Sequence, residues 1–105
     1  MKIYEIEYSS NSITDIKRIH DYIAYENNEP ENAQIVAESI YESIKGLNMF
    51  PYRFPVIDGK SNQKEQPRLF PQNGYLVIYQ VFEKECKVVI MRILGSRQDV
   101  QSKLC

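Results

Sequence analysis

Two cysteines, one histidine and no tryptophan occur among the 105 residues. Cys86 and Cys105 are too few for a disulfide framework, and no spacing of cysteine and histidine suits zinc. We therefore expect two free thiols, with Cys86 buried in a strand, and no metal or other cofactor. No hydrophobic run is long enough to span a membrane, and the start, MKIYEIEYSS, lacks the apolar stretch of a secretion signal. The chain is expected to be cytoplasmic, with no membrane partner.

The formal net charge is only -1, but the basic and acidic residues are unevenly distributed along the chain. Residues 1–49 contain four basic and nine acidic side chains, which gives -5, whereas residues 50–105 contain nine basic and five acidic ones, which gives +4. An anionic partner is therefore expected at the second half. The chain as a whole is less basic than proteins that bind nucleic acid unaided.

The length and a hydrophobic content of 43% indicate one globular domain over residues 1–105. Alternating residues 3–8 predict a strand. A first helix is predicted to start at Ser12, capped together with Asp15. Its apolar stripe comprises Ile13, Ile16, Ile19 and Ile23. The segment 27–30, which ends in Pro30, breaks this helix, and a second helix follows. Its apolar stripe comprises Ala33, Ala37, Ile40, Ile44 and Leu47.

The remainder of the chain predicts a loop and a set of strands. Residues 50–71 contain four prolines and form a loop with a short strand near Arg68. Residues 75–82 and 88–94 are rich in β-formers, and the turn between them spans residues 83–85. Gly95 ends the last strand. These elements predict an α+β fold, with an N-terminal strand and an antiparallel two-helix hairpin on one face of a small, mostly antiparallel sheet.

Four motifs in this order resemble the RelE/ParE superfamily of toxins from bacterial type II toxin-antitoxin modules. They are Asp15-Ile16-x-x-Ile19-x-x-Tyr22-Ile23; Ile44-x-x-Leu47 before Phe50-Pro51; Arg68 before the strand YLVIYQV; and Ile93-Leu94-x-x-Arg97-x-Asp99. The resemblance implies the same fold, and it implies a cognate antitoxin whose C-terminal segment folds onto the toxin. It also leaves two targets open, since RelE-like members cut mRNA on the ribosome and ParE-like members poison DNA gyrase.

A RelE-like site requires clustered cations and a base for metal-independent RNA cleavage. By resemblance, Arg68 and Arg97 would be catalytic, with Lys60 and Lys64 in support. The tyrosine or histidine that such toxins carry in the C-terminal tail is missing here. Other bases remain open, with Glu65, Glu83 and Asp99 as carboxylates and Tyr52, Tyr75 and Tyr79 as nearby hydroxyls.

The ParE-like interpretation is favoured by the missing tail base and by the acidic helical half, which fits ribosomal RNA poorly. It predicts a gyrase contact at Arg97 and Asp99 and the following tail, with Arg68 and Arg92 as secondary contacts. Strand alternation predicts that Arg92 faces solvent. A degenerate, antitoxin-binding but inactive toxin and an unrelated α+β interaction module also remain open, as do a homodimer and a toxin-antitoxin hetero-oligomer.

Overall fold

The computed structural model describes residues 2–57 and 66–95, which form one strand, a helical hairpin and three further strands. The elements are β1 (Glu5–Tyr8), α1 (Ser10–Asp21), α2 (Pro30–Lys45), β2 (Arg68–Gln72), β3 (Tyr75–Phe82) and β4 (Lys87–Leu94). One π-helical turn, Tyr22–Glu26, extends α1, and a 3-10 turn, Gly46–Asn48, extends α2. No helix in the described ranges is long and apolar enough to cross a membrane.

The four strands form one sheet in the order β1-β4-β3-β2. Strands β2, β3 and β4 are antiparallel neighbours, and β1 lies parallel to β4. The two helices cover one face, where Ile16, Ile40 and Ile44 pack with Val77, Tyr79, Val88 and Ile90 in the main core. A smaller cluster comprises Leu76, Ile78 and Leu94. The predicted α+β architecture is confirmed.

The first helix starts earlier than its sequence pattern predicts. Ser9 is the N-cap residue, and its Oγ accepts a hydrogen bond from the Ser12 backbone N–H at 3.0 Å. Ser12 and Asp15 are therefore buried within the helix instead of forming its cap. Ile13 is 55% exposed, because the packed stripe runs through residues 12, 16, 19 and 23 and Ile13 lies beside it. The predicted capping box and the place of Ile13 in the stripe were wrong.

The break between the helices lies where the sequence places it. Asn28 has φ 55°, and Pro30 occupies the first turn of α2, where its missing N–H costs no helical hydrogen bond. The Asn27 backbone N–H donates to the Tyr22 carbonyl at 3.1 Å, which closes the π-helical turn, and the Glu29 N–H then donates to the Ile23 carbonyl at 3.0 Å. The two helices therefore form the predicted hairpin.

Two turns connect the antiparallel strands. Asn73 and Gly74, with φ 53° and 83°, form the two-residue turn between β2 and β3 that suits the twist of a hairpin. The turn between β3 and β4 includes Cys86, which has φ 55° and whose backbone N–H donates to the Glu83 carbonyl at 3.2 Å. The expectation that Cys86 is buried in a strand was wrong, because the turn needs a left-handed residue just before β4 begins.

We expect opposite effects from the same substitution at two glycines. Gly74→Ala destabilises the fold by about 1 kcal/mol, because an L side chain is strained at φ 83°. Gly46→Ala stabilises it by about 0.5 kcal/mol, because residue 46 has φ -65° and alanine restricts the unfolded chain. An added Cβ meets nothing within 4 Å at Gly74 and only the Arg53 Nη1 at 3.8 Å at Gly46. Urea unfolding midpoints measure both, and shifts of the same sign would contradict the prediction.

Candidate functional site

A buried carboxylate joins the helical hairpin to the last strand. Asp15 is 4% exposed, and its two oxygens accept hydrogen bonds from Arg92 Nε at 2.7 Å and Nη2 at 3.0 Å. The same carboxylate accepts the Ile93 backbone N–H at 2.9 Å. This hydrogen bonding raises the pKa of Arg92 above its usual value. Asp15 is therefore paired both with a side chain and with the backbone of β4.

The shortness of β1 explains why this carboxylate is needed. β1 pairs only with Lys87–Ile90, so the outer edge of the rest of β4 has no neighbouring strand. The Ser9 N–H continues the pairing by donating to the Ile90 carbonyl at 3.0 Å, and beyond it the Ser9 Oγ donates to the Met91 carbonyl at 2.9 Å. Further along β4, the Asp15 carboxylate accepts the Ile93 N–H. Buried backbone groups need such partners when no strand supplies them.

Arg92 does not face solvent as strand alternation predicts. A bulge in the β3–β4 pairing aligns Ile78 with Arg92 and Tyr79 with Ile90, so that Met91 has no opposite residue. This irregularity breaks the two-residue alternation. The Arg92 side chain is only 23% exposed and is held by Asp15. The prediction that Arg92 faces solvent was wrong.

Beside the Asp15–Arg92 pair lies an open cavity of about 460 Å³. We call it the α1–β4 wedge. Its lining includes Arg18, Ile19 and Tyr22 of the helical side and Tyr75, Ile93 and Leu94 of the sheet. Tyr22 is 55% exposed, and burial together with the neighbouring Tyr22 raises the pKa of Tyr75. Gly95, the last residue described, also lines the wedge.

A second polar cluster lies at the opposite end of β4. The Glu83 carboxylate accepts hydrogen bonds from Lys2, from the Tyr4 hydroxyl at 2.8 Å and from the Tyr52 hydroxyl at 2.6 Å. These bonds, that of Lys2 foremost, lower the pKa of Glu83 to about 2. Burial, together with the hydrogen bond to Glu83, raises the pKa of Tyr52. The cluster connects the N-terminus, the segment after α2 and the β3–β4 turn.

Arg68 extends this cluster toward β2. Its guanidinium lies 5.0 Å from the centre of the Tyr52 ring, and its Nη1 donates to the Phe54 carbonyl at 2.6 Å. Its buried Nε has no hydrogen-bond partner among the residues described. The Tyr79 hydroxyl holds the same segment by donating to the Pro51 carbonyl at 2.7 Å. Arg68 therefore fastens residues 52–54 against the sheet.

The chemistry available in this cluster is limited. A carboxylate with a pKa near 2 is a weak base at neutral pH, and a tyrosine with a raised pKa stays protonated. Glu83 and Tyr52 are thus poorly suited to take a proton from a ribose hydroxyl. In the described part of the chain, no group of three or more His, Cys, Asp or Glu side chains could hold a metal ion.

The structure does not bring the described candidate residues into one site. Arg68 of β2 and Arg92 of β4 have β3 between them and bind different partners. The other four candidates, Lys60, Lys64, Arg97 and Asp99, lie outside the described residues, as do Glu65 and Cys105. Asp15 was missed as a contact residue, although its spacing from Ile16 and Ile19 places an acid on the apolar stripe of α1. An acidic residue on an apolar helix stripe was the sequence signal that could have identified this buried contact.

Comparisons with known proteins agree with this fold. A sequence profile described as the ParE toxin of a type II toxin-antitoxin system, parDE, matches residues 6–100. No curated protein sequence matches the chain. A structure of the chromosomal ParDE system from P. aeruginosa is similar, with a TM-score of 0.67 and 18% identity over 88% of this chain and 95% of that one.

Two structures of RelE-type proteins are also similar. The isolated RelE toxin of E. coli has a TM-score of 0.60 and 13% identity over 96% of this chain and 94% of its own. The toxin-antitoxin complex RelBE2 from Mycobacterium tuberculosis has a TM-score of 0.57 and 15% identity over 89% of this chain and 91% of that chain. At these identities the likeness concerns the fold alone.

We expect Asp15→Ala to lower the free energy of unfolding by about 3 kcal/mol, because it leaves the Arg92 guanidinium and the Ile93 N–H without their acceptor. The matched control is Asp21→Ala in the same helix, where the side chain is 45% exposed. That change is expected to stay within about 0.5 kcal/mol. Urea unfolding measures both, and equal losses would contradict the assigned role of Asp15.

We also expect Glu83 to make the fold sensitive to acid. Its pKa is lowered in the folded state to about 2 from 4.5, so its stabilisation is complete above pH 4.5 and is lost as the pH falls toward 2. Glu83→Gln should lower the melting temperature at pH 7 and flatten its fall over that range. Glu85→Gln, an exposed acid in the same turn, is the control. Identical acid profiles for the wild type and Glu83→Gln would refute this.

Proposed function

The chain belongs to the ParE toxin family of type II toxin-antitoxin systems, and we propose that it inhibits DNA gyrase and is neutralised by a cognate antitoxin. The match to the ParE profile over residues 6–100 is the observation that carries this proposal. The similar ParDE system of P. aeruginosa supports it at the level of the fold. The antitoxin partner is further supported by the toxin-antitoxin complex among the similar structures.

Two features of this chain favour gyrase over the ribosome. The helical half has a charge of -5, which opposes binding to a surface of ribosomal RNA. After Gly95 the sequence contains neither tyrosine nor histidine, and Glu83 and Tyr52 are held in hydrogen bonds that make them poor bases. Inhibition of gyrase by binding requires no general base, whereas cleavage of RNA does.

The proposed mechanism is differential binding to one state of gyrase. A toxin that binds the enzyme more tightly while the DNA is cleaved shifts the equilibrium toward breakage. Arg97 and Asp99, with the rest of residues 96–105, are the proposed contact. Arg68 and Arg92 are hydrogen-bonded within the protein, so any contact they make uses the part of the guanidinium that remains accessible.

A second candidate function is RelE-like cleavage of mRNA on the ribosome. The observation in its favour is the fold shared with the RelE toxin of E. coli, which covers 96% of this chain. Arg68 and Arg97 would then stabilise the transition state, with Lys60 and Lys64 in support. An inactive chain that retains antitoxin binding is the third candidate.

Expression from an inducible promoter in E. coli separates these functions. Growth arrest with a DNA-damage response, and linear plasmid formed by purified gyrase plus the purified chain, is the expected result. Arrest with cleaved mRNA and no gyrase-dependent breakage would replace gyrase by the ribosome as target. Normal growth, with the chain folded and binding antitoxin, would favour the inactive candidate.

We expect Arg97→Ala to raise the protein concentration needed for gyrase-dependent plasmid linearisation by about tenfold, as for loss of a central charged interface contact. Lys103→Ala removes the same charge from the same terminal segment and is the matched control, expected to change the concentration less than threefold or so. A chain that ends at Gly95 should lose growth arrest and still fold. Arrest by that truncated chain would contradict the placement of the contact.

A further inference from the structure

The helical hairpin carries an open groove between its two helices. The cavity has a volume of about 360 Å³, and its lining comprises Ile13, Ile16, Lys17 and His20 of α1 and Gln34, Ala37, Glu38 and Tyr41 of α2. Ile13 is 55% exposed and Tyr41 is 42% exposed. Exposed apolar side chains gathered at one groove are typical of an interaction surface.

The α2 wall of the groove is already ordered. The Tyr41 ring packs edge-on against the Tyr8 ring, with 5.6 Å between the ring centroids. The Gln34 Nε2 donates a hydrogen bond to the Glu38 carboxylate at 2.8 Å. Side chains that are held in place lose little conformational freedom when a partner covers them.

The two walls of the groove carry complementary side chains. Because the helices run antiparallel, positions that ascend along α1 lie opposite positions that descend along α2. The opposing pairs are one apolar, one charged and one polar: Ile13 with Tyr41, Lys17 with Glu38, and His20 with Gln34. Each α1 side chain therefore faces an α2 side chain that it could bind.

The exposed charges of the two helices differ in sign. Lys17 and Arg18 of α1 are exposed, and neither has an acidic partner among the described residues. The exposed acids of α2 are Glu31, Glu38 and Glu42. A second copy of the same surface is therefore electrostatically favourable when its α1 lies on α2, and unfavourable when its α1 lies on α1.

A two-fold axis parallel to the groove produces the favourable placement. It carries α1 of a second copy over α2 of the first at the same level along the groove, and α2 over α1 reciprocally. Each opposing pair within one chain is then repeated between the chains. The four helices form an antiparallel bundle, whose core consists of the two grooves.

We propose that the groove between α1 and α2 binds a second copy of this chain, in a two-fold dimer in which Lys17 pairs with Glu38 of the partner subunit and Ile13 packs on Tyr41 of the partner subunit. This self-association goes beyond the proposed function. It does not depend on whether gyrase or the ribosome is the target.

Charge reversal tests the pairing. Sedimentation velocity on the full chain, separated from antitoxin, is expected to show wild-type dimers between about 1 and 100 μM. Lys17→Glu and Glu38→Lys each place like charges together in both symmetric pairs, so each should raise the dimer dissociation constant about tenfold or more. An equimolar mixture of the two variants joins opposite charges again in both pairs. It should dimerise within about threefold of the wild-type affinity.

A substitution at Ile13 tests the apolar part of the contact. Ile13→Ser should weaken the dimer by about tenfold. Ile3→Ser is the matched control, because Ile3 is 64% exposed and does not line the groove, and it should leave the affinity within about threefold. Circular dichroism and melting temperatures, measured on dilute samples, show that each variant is folded.

Three results would overturn the proposal. The first is a wild-type chain that stays monomeric at about 100 μM or associates only after antitoxin is added. The second is wild-type affinity in both charge variants, and the third is a mixture of these variants that stays monomeric while the wild type dimerises. Plasmid linearisation tests the gyrase proposal separately, so either proposal can fail alone.

Discussion

The Asp15 carboxylate links the two halves of this protein, and much of the arrangement around the candidate site depends on it. β1 is only four residues long, so it leaves the last part of β4 without a neighbouring strand. Asp15 supplies the missing acceptor for Ile93 and at the same time binds Arg92. The direction in which the chain leaves the sheet at Gly95 is therefore tied to the second turn of α1.

A buried ion pair of this kind adds little net stability compared with well-packed apolar side chains of similar volume. Removing two charges from water costs several kcal/mol, and the attraction within the pair roughly offsets that cost. The carboxylate has three donors, so both of its oxygens are used, and these bonds connect α1 to β4. The Glu83 cluster plays a comparable role at the start of β4, where three donors from distant segments meet one carboxylate. Each end of this central strand is thus positioned by an acid.

The sequence predicts the elements of this fold well because each produces a local signal. Apolar spacing marks α2, Pro30 marks its start, and Asn73-Gly74 marks the β2–β3 turn. The errors have a different origin. The bulge that turns Arg92 inward depends on the pairing of β3 with β4, and its partner Asp15 lies 77 residues away. A contact between residues so far apart produces no local sequence pattern. Ser12 and Asp15 instead match the pattern of a helix cap, although Ser9 is the N-cap residue.

These contacts also change how the charge asymmetry bears on partners. The surplus of +4 in residues 50–105 suggests that an anionic partner binds the sheet half. However, Arg92 and Lys87 are paired with Asp15 and Glu7 of the helical half, and Arg68 is packed on Tyr52. Part of the basic surplus therefore holds the two halves together and is not available to a partner. Arg18 remains accessible although it belongs to the acidic half. The formal charge of each half is therefore a poor guide to the charge that a partner meets, because that charge depends on which cations the fold leaves unpaired.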